Sequence, residues 1–185
     1  SLGRDEQLED YGIGSKGFSE GDKVYITLPG GKRESFTFKP QRHPLSRLSS
    51  LVGNVLYRPA FESEPGSTST LTVKKADITR LRDGEFANLG GARYNPANDA
   101  YGGFGNYYEL TTQEGIVYRI NATTGDLDTV TDLNGNVLTF TDAGISSSTG
   151  QQVTFERDAQ NRIKKAIDPE GNEVIYDYDA NGDLI

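Results

Sequence analysis

Residues 115–140 read GIVYRINATTGDLDTVTDLNGNVLTF, and residues 150–185 read GQQVTFERDAQNRIKKAIDPEGNEVIYDYDANGDLI. An aromatic closes a short apolar run at Tyr118, Phe140, Phe155 and Tyr176, and a glycine opens each run at Gly115, Gly135, Gly150 and Gly171. Gly115 to Gly135 is 20 residues and Gly150 to Gly171 is 21, so the repeating unit is two strands and two turns. Periods of this size mark arrays whose neighbouring units bury one another's faces. The fold class that follows is all-β, built of antiparallel β-hairpins.

The turns predict their own geometry. Asn134-Gly135 and Asn181-Gly182 suit type I′ hairpin turns, which need positive φ at both central residues. Asp168-Pro169-Glu170-Gly171 suits a type I turn, with Asp first, Pro second and Gly last. The same segments have a superficial likeness to calcium loops at Asp132-x-Asn134-Gly135-Asn136 and Asp179-x-Asn181-Gly182-Asp183. An EF-hand loop needs glycine at its sixth position and a glutamate at its twelfth. Here glycine stands fourth and no glutamate follows in place, so turn chemistry is the preferred reading and no metal site is assigned.

Upstream of the repeats, residues 1–20 form a polar lead-in with isolated apolar points. Val24 to Leu28 alternates with period two, Pro29-Gly30-Gly31-Lys32 turns, and Arg33 to Phe38 returns, which is a β-hairpin over 23–38. Val24, Ile26 and Leu28 share a face that Phe36 and Phe38 meet. Residues 39–50 read as a loop, with Pro44 to Leu51 the best helical segment and His43 a surface residue. Leu51 to Tyr57 and Thr70 to Lys74 read as strands. Asp77 to Tyr107 is the least regular stretch, and Asp142 to Gly150 is an irregular spacer. The organisation expected is a β-rich segment over 1–105, then hairpin repeats over 106–185.

Composition narrows the function classes. With no cysteine, disulfides, thiolate nucleophiles and cysteine-ligated zinc are excluded. A net charge of -8, with 19 basic residues scattered among 27 acidic ones, excludes a nucleic-acid partner. No apolar run approaches the roughly 20 residues of a membrane span. Methionine is absent, so Ser1 is not expected to be a natural start, and the chain reads as a piece of a longer protein. No nucleophile, base and orienting group recur together, so no catalytic residue and no cofactor is assigned. Glu62 with Glu64, and Glu109 with Glu114, are the carboxylate pairs nearest to an acid–base arrangement. Ala100 to Gly105 fits neither glycine-rich phosphate motif. The densest aromatic cluster is Tyr94, Tyr101, Phe104, Tyr107 and Tyr108, the candidate surface for a glycan or a cell-surface protein.

The repeat motifs resemble the YD repeats of the Rhs family, which are shared by teneurins and the shells of insecticidal toxin complexes. The family pattern is an aromatic, two residues, Asp, two residues, Gly, Arg, Leu, with a D-x-x-G-N turn between units. Tyr176 to Leu184 matches with Asp183 in place of Arg, and Phe155 to Ile163 matches with Asn161 in place of Gly. Tyr118 to Leu127 matches with one extra turn residue. Asp132-x-x-Gly135-Asn136 and Asp168-x-x-Gly171-Asn172 match the turn between units. The resemblance covers residues 106–185, and the hairpin region before them is similar to the segment that precedes the repeats in large bacterial members. It implies an extended, curved sheet that is part of a shell, in a secreted or cell-surface protein of the polymorphic-toxin kind. The implied partners are the rest of the parent chain, meaning further repeats and a C-terminal cargo. The family's self-cleaving core motif is absent from this stretch, so no catalytic residue carries over. The expected function is a non-enzymatic structural or encapsulating module, with a carbohydrate- or cell-surface-binding adhesion module as the alternative.

Overall fold

The structure is a computed structural model, which describes residues 2–4 as backbone, and residues 16–44, 46, 55–99 and 103–185. Two compact units divide the chain, Ser1–Leu127 and Asp128–Ile185. The expected boundary at 105/106 lies inside the first of them. All the sheets are antiparallel. Among the described residues no helix is long and apolar enough to cross a membrane.

The first unit contains β1 (Leu2–Arg4), β2 (Lys23–Thr27), β3 (Arg33–Phe38), β4 (Gln41–Arg42), β5 (Leu56–Arg58) and β6 (Phe61–Ser63). It continues with β7 (Thr70–Val73), β8 (Ile78–Arg80), β9 (Phe86–Asn88), β10 (Tyr107–Thr111) and β11 (Val117–Asn121). Three groups of strands form here: β1-β2-β3-β6, β4-β5-β8-β9, and β7-β10-β11. The hairpin expected over 23–38 is β2 and β3, with Val24 opposite Phe36 and both buried. Leu28 packs partly buried against the same core. Asp77 to Tyr107 is more regular than expected, because β8 and β9 pair across a tight turn at Leu81–Glu85. The Pro44–Leu51 helix and the Leu51 end of the next strand lie outside the described residues, apart from Pro44 and Ser46.

The core of this unit is aromatic. Phe38 stacks on Tyr94 at 5.4 Å and 19°, and meets Phe86 edge-on at 5.7 Å. Phe61 reaches Tyr108 of β10 edge-on at 5.8 Å. Offset and edge-on pairs of this kind add about 0.5–1.5 kcal/mol each to the burial itself. Phe18, an isolated apolar point in sequence, is fully buried between Phe38 and Tyr94.

The second unit is a meander of β12 (Leu127–Thr131), β13 (Val137–Thr141), β14 (Gly144–Ser147), β15 (Gln152–Arg157), β16 (Ile163–Ile167) and β17 (Glu173–Ile175). The expected irregular spacer at 142–150 therefore contains a strand, with turns on either side of it. Gly144 pairs with Thr141 across a two-residue loop, and Gly144 to Ser146 pairs with Gln152 to Thr154. Between β15 and β16 the register slips, with Glu156 opposite Lys165 and Arg157 opposite Ile163. That bulge leaves Lys164 without an opposite residue on β15.

Candidate functional site

The repeated feature of this chain is its turn, and its chemistry starts from a backbone problem. A tight reversal leaves peptide N–H groups pointing inward with no ladder partner. At Asp132 the backbone N–H bonds to the Asn136 carbonyl at 3.0 Å, and Gly135 donates to the Asp132 carbonyl at 3.1 Å. The same two bonds recur from Asp158, Asp168 and Asp179, and also from Leu28, Asn88, Thr112 and Ser147. This is a three-residue hairpin loop; in the Leu28–Lys32 loop both Gly30 and Gly31 have positive φ, whereas at the four aspartates it is a type I turn closed by one residue of positive φ. That residue is Gly135 (82°), Gly171 (88°), Gly182 (91°) and, without glycine, Asn161 (65°).

The type I′ geometry expected at Asn134-Gly135 and Asn181-Gly182 is thus corrected. Neither Asn134 nor Asn181 has positive φ. The physical reason is the aspartate that opens each turn. Oδ1 of Asp132 accepts the N–H of Asn134 at 2.8 Å and of Asn136 at 2.9 Å. Its Oδ2 accepts Nδ2 of Asn136 at 2.7 Å. Asp168 repeats the arrangement with Glu170 and Asn172. At Asp158 the guanidinium of Arg162 takes the place of the amide, its Nε 2.7 Å from Oδ2. These donors hold all four carboxyls below the usual aspartate range: the Asn136 and Asn172 side chains lead at Asp132 and Asp168, the Arg162 and Asp183 backbone N–H at Asp158 and Asp179. The oxygens that a cation would use are engaged by their own loops. Among the described residues no group of three or more His, Asp or Glu is placed to hold a metal ion.

The aromatic cluster lands elsewhere than expected. Tyr94, Phe104 and Tyr108 are within 1% of full burial, so their rings face the core and not solvent. Phe104 meets Tyr94 edge-on at 4.9 Å. Burial pushes the Tyr94 phenol well above its ordinary value, with Tyr108 adding to the effect, and among the described residues its hydroxyl has no hydrogen-bond partner. Tyr107 alone of the four is half-buried, with the Arg119 guanidinium 3.8 Å from its ring centre. Tyr101 lies outside the described residues. The reason is alternation: along β10 successive side chains take opposite faces, and the inward one is Tyr108.

His43 is also inside, not on the surface. Pairing of β4 with β5 carries it inward, and its backbone N–H bonds to Leu56 at 2.9 Å. Its Nε2 lies 2.8 Å from Arg58 Nη2, which can only donate, and 3.7 Å from Asp77.

One buried carboxylate escaped the sequence reading. Glu34 stands opposite Ile26 on the inward side of β3 and is 1% exposed. Burial pushes its pKa up, but Lys32 Nζ at 2.7 Å, the Ser69 N–H at 3.1 Å and the Thr68 N–H at 3.2 Å outweigh that and hold it at about 2. The pattern Lys-x-Glu is common on exposed strands, so only the register revealed it. The paired carboxylates are engaged separately. Glu62 bonds to Lys39, and Glu64 to Thr37 and Lys23. Glu114 is exposed in the Thr112–Ile116 turn.

A partly open cavity of about 330 Å³ lies in the first unit between the end of β2 and β11. Ile26, Leu28, Pro29, Tyr118, Ile120 and Leu127 supply its apolar wall. No protein-family model matches this chain, and no curated protein matches it at a significant level of similarity.

Proposed function

We propose that this chain is a structural module of a YD-repeat shell, a piece of wall in a large secreted or cell-surface protein. It carries no catalytic centre in this reading. Its partners are further repeats of the parent and the cargo they enclose, and its strands continue a curved sheet in the parent. The observation that carries the proposal is the aspartate-gripped turn, repeated at Asp132, Asp158, Asp168 and Asp179, with a side-chain amide or guanidinium on the same carboxylate at each, the longest of these bonds being the one at Asp179. That repetition explains the D-x-x-G-N and D-x-x-N-R spacings by one mechanism, and it serves sheet growth rather than ligand binding.

Limited proteolysis of the intact parent, followed by mass spectrometry, tests it. Protection of a C-terminal segment together with the repeats, lost only on denaturation, is the expected result. Repeats that survive digestion alone, with nothing enclosed, would overturn the wall reading.

A further inference from the structure

The register of the second unit sorts its side chains onto two unlike faces. Val130 stands opposite Leu138, Phe140 opposite Ile145, Ile145 opposite Val153, Phe155 opposite Ala166, and Ala166 opposite Val174. Because side chains alternate along a strand and cross-strand partners share a side, these residues make one apolar face. The other face carries a polar row across four strands, Thr129, Thr139, Ser146 and Gln152.

The apolar face is not covered. Leu138 is 41% and Val174 55% exposed, and Phe140, Ile145, Val153 and Phe155 are only half-buried. Every fully buried hydrophobic residue described in the chain lies at or before Ala122. In the first unit the equivalent strands have a second layer. Tyr108, Leu110 and Ile120 of β10 and β11 are buried, with Phe61 of the β1-β2-β3-β6 sheet packed on Tyr108.

We propose that the apolar face of β12–β17 binds the same face of a second copy of the chain, sheet on sheet. Size favours this occupant. Six strands about 4.8 Å apart and about five residues of 3.4 Å long offer roughly 500 Å² of sheet. Two such faces bury roughly 1,000 Å² in projection, where specific interfaces begin, and side-chain relief adds to it. Charge favours it as well. The six residues Leu138, Phe140, Ile145, Val153, Phe155 and Val174 are all uncharged in a chain of net charge -8. Alternation also puts Asp128, two residues before Val130, on this side of β12, near the end of the strand. Pairing two identical faces about a two-fold axis also closes the assembly at two copies. The inference does not depend on the wall reading.

Sedimentation analysis of the whole 185-residue chain over a micromolar concentration series tests it. The expected result is a monomer–dimer equilibrium that tightens as salt screens the net charge. Leu138→Lys, at an exposed position within the sheet, weakens the dimer at least about tenfold, while Gln152→Lys on the opposite face leaves it unchanged. Melting curves of both variants confirm that each is folded, and Leu138→Asn replaces the lysine variant if it is not. A monomer at all concentrations overturns the proposal. So does a dimer indifferent to Leu138 but lost by changes confined to the β17 edge, which would assign the contact to strand-edge pairing.

Discussion

Asn172 meets Asp168 twice: its backbone N–H reaches Oδ1 at 2.8 Å, and its side-chain Nδ2 reaches Oδ2 at 2.8 Å. One residue therefore fixes both oxygens of the carboxylate that organises the loop. Replacing Asp168 by Ala frees two backbone N–H groups in that turn, and a drop of a few degrees in melting temperature is expected by calorimetry. Asn172→Ala, which keeps the backbone bond, should lower it less. The four turn aspartates have folded pKa values below the unfolded one. Their stabilisation is complete above the ordinary aspartate range and disappears as pH falls through the lowered values. Acid titration followed by circular dichroism should show this loss, diminished in the Asp168 variant.

At the last turn the grip is incomplete. Asp183 occupies the place of Asn136 and Asn172, and only its backbone N–H reaches Asp179. The amide of Asn181 supplies a longer bond of 3.4 Å. Asp183→Asn restores a donor and removes a like charge from beside Asp179. The variant should melt no lower than the parent, with slower hydrogen exchange at residues 179–183. Faster exchange there would contradict the account of the turn.

Gly144 is constrained by space as well as by its φ of 147°. A Cβ there would stand 2.0 Å from the Val153 carbonyl oxygen, inside the β14–β15 ladder. Gly144→Ala should cost at least about 2 kcal/mol in denaturant unfolding. Gly135→Asn meets open space at a φ that Asn161 already adopts, so it should cost about 1 kcal/mol or less.

Glu34 should be more expensive to neutralise than any exposed carboxylate. Glu34→Gln removes the charged acceptor for Lys32, Thr68 and Ser69 and is expected to cost about 2 kcal/mol. Its folded pKa is depressed from 4.5 to about 2, so its contribution is complete above 4.5 and is lost as pH falls toward 2. Unfolding free energies measured across that window should converge for the two proteins.

The aromatic cluster offers the sharpest contrast between packing and recognition. Phe104→Ala should destabilise by about 3–4 kcal/mol, as expected for an emptied core site. Tyr94→Phe removes a buried hydroxyl that has no described partner and should leave stability unchanged or raise it by about 1 kcal/mol. A marked loss in Tyr94→Phe would reveal a bound water or another partner on that hydroxyl.

The β-hairpins were legible because alternation and turn residues are local signals. Val24 to Phe38 and the aspartate-led turns could be read from neighbours alone. Strand β14 could not, because Gly144-Ile145-Ser146-Ser147 carries little apolar alternation and is held by ladders on both sides. The inward placement of Tyr94 and Phe104 was equally hidden. They belong to a tyrosine- and glycine-rich stretch that looks like a surface loop, and only distant partners such as Phe38 draw them inward. Turn type was misread at Asn134-Gly135 because the dipeptide is ambiguous, and the deciding group is the carboxylate two residues earlier.

The turns at Ser147–Gln151 and Asp168–Asn172 flank one complete out-and-back pair, β15 and β16, and so lie at the same end of the meander. Length can therefore change there in discrete steps. Recombination between two such turns inserts or deletes a strand pair and returns the chain to the same end, with the same side chains facing the same way. A single extra residue has no such freedom and must be absorbed locally, as the bulge at Lys164 absorbs one. The joint between strands thus makes this polypeptide extendable by duplication without redesigning either face.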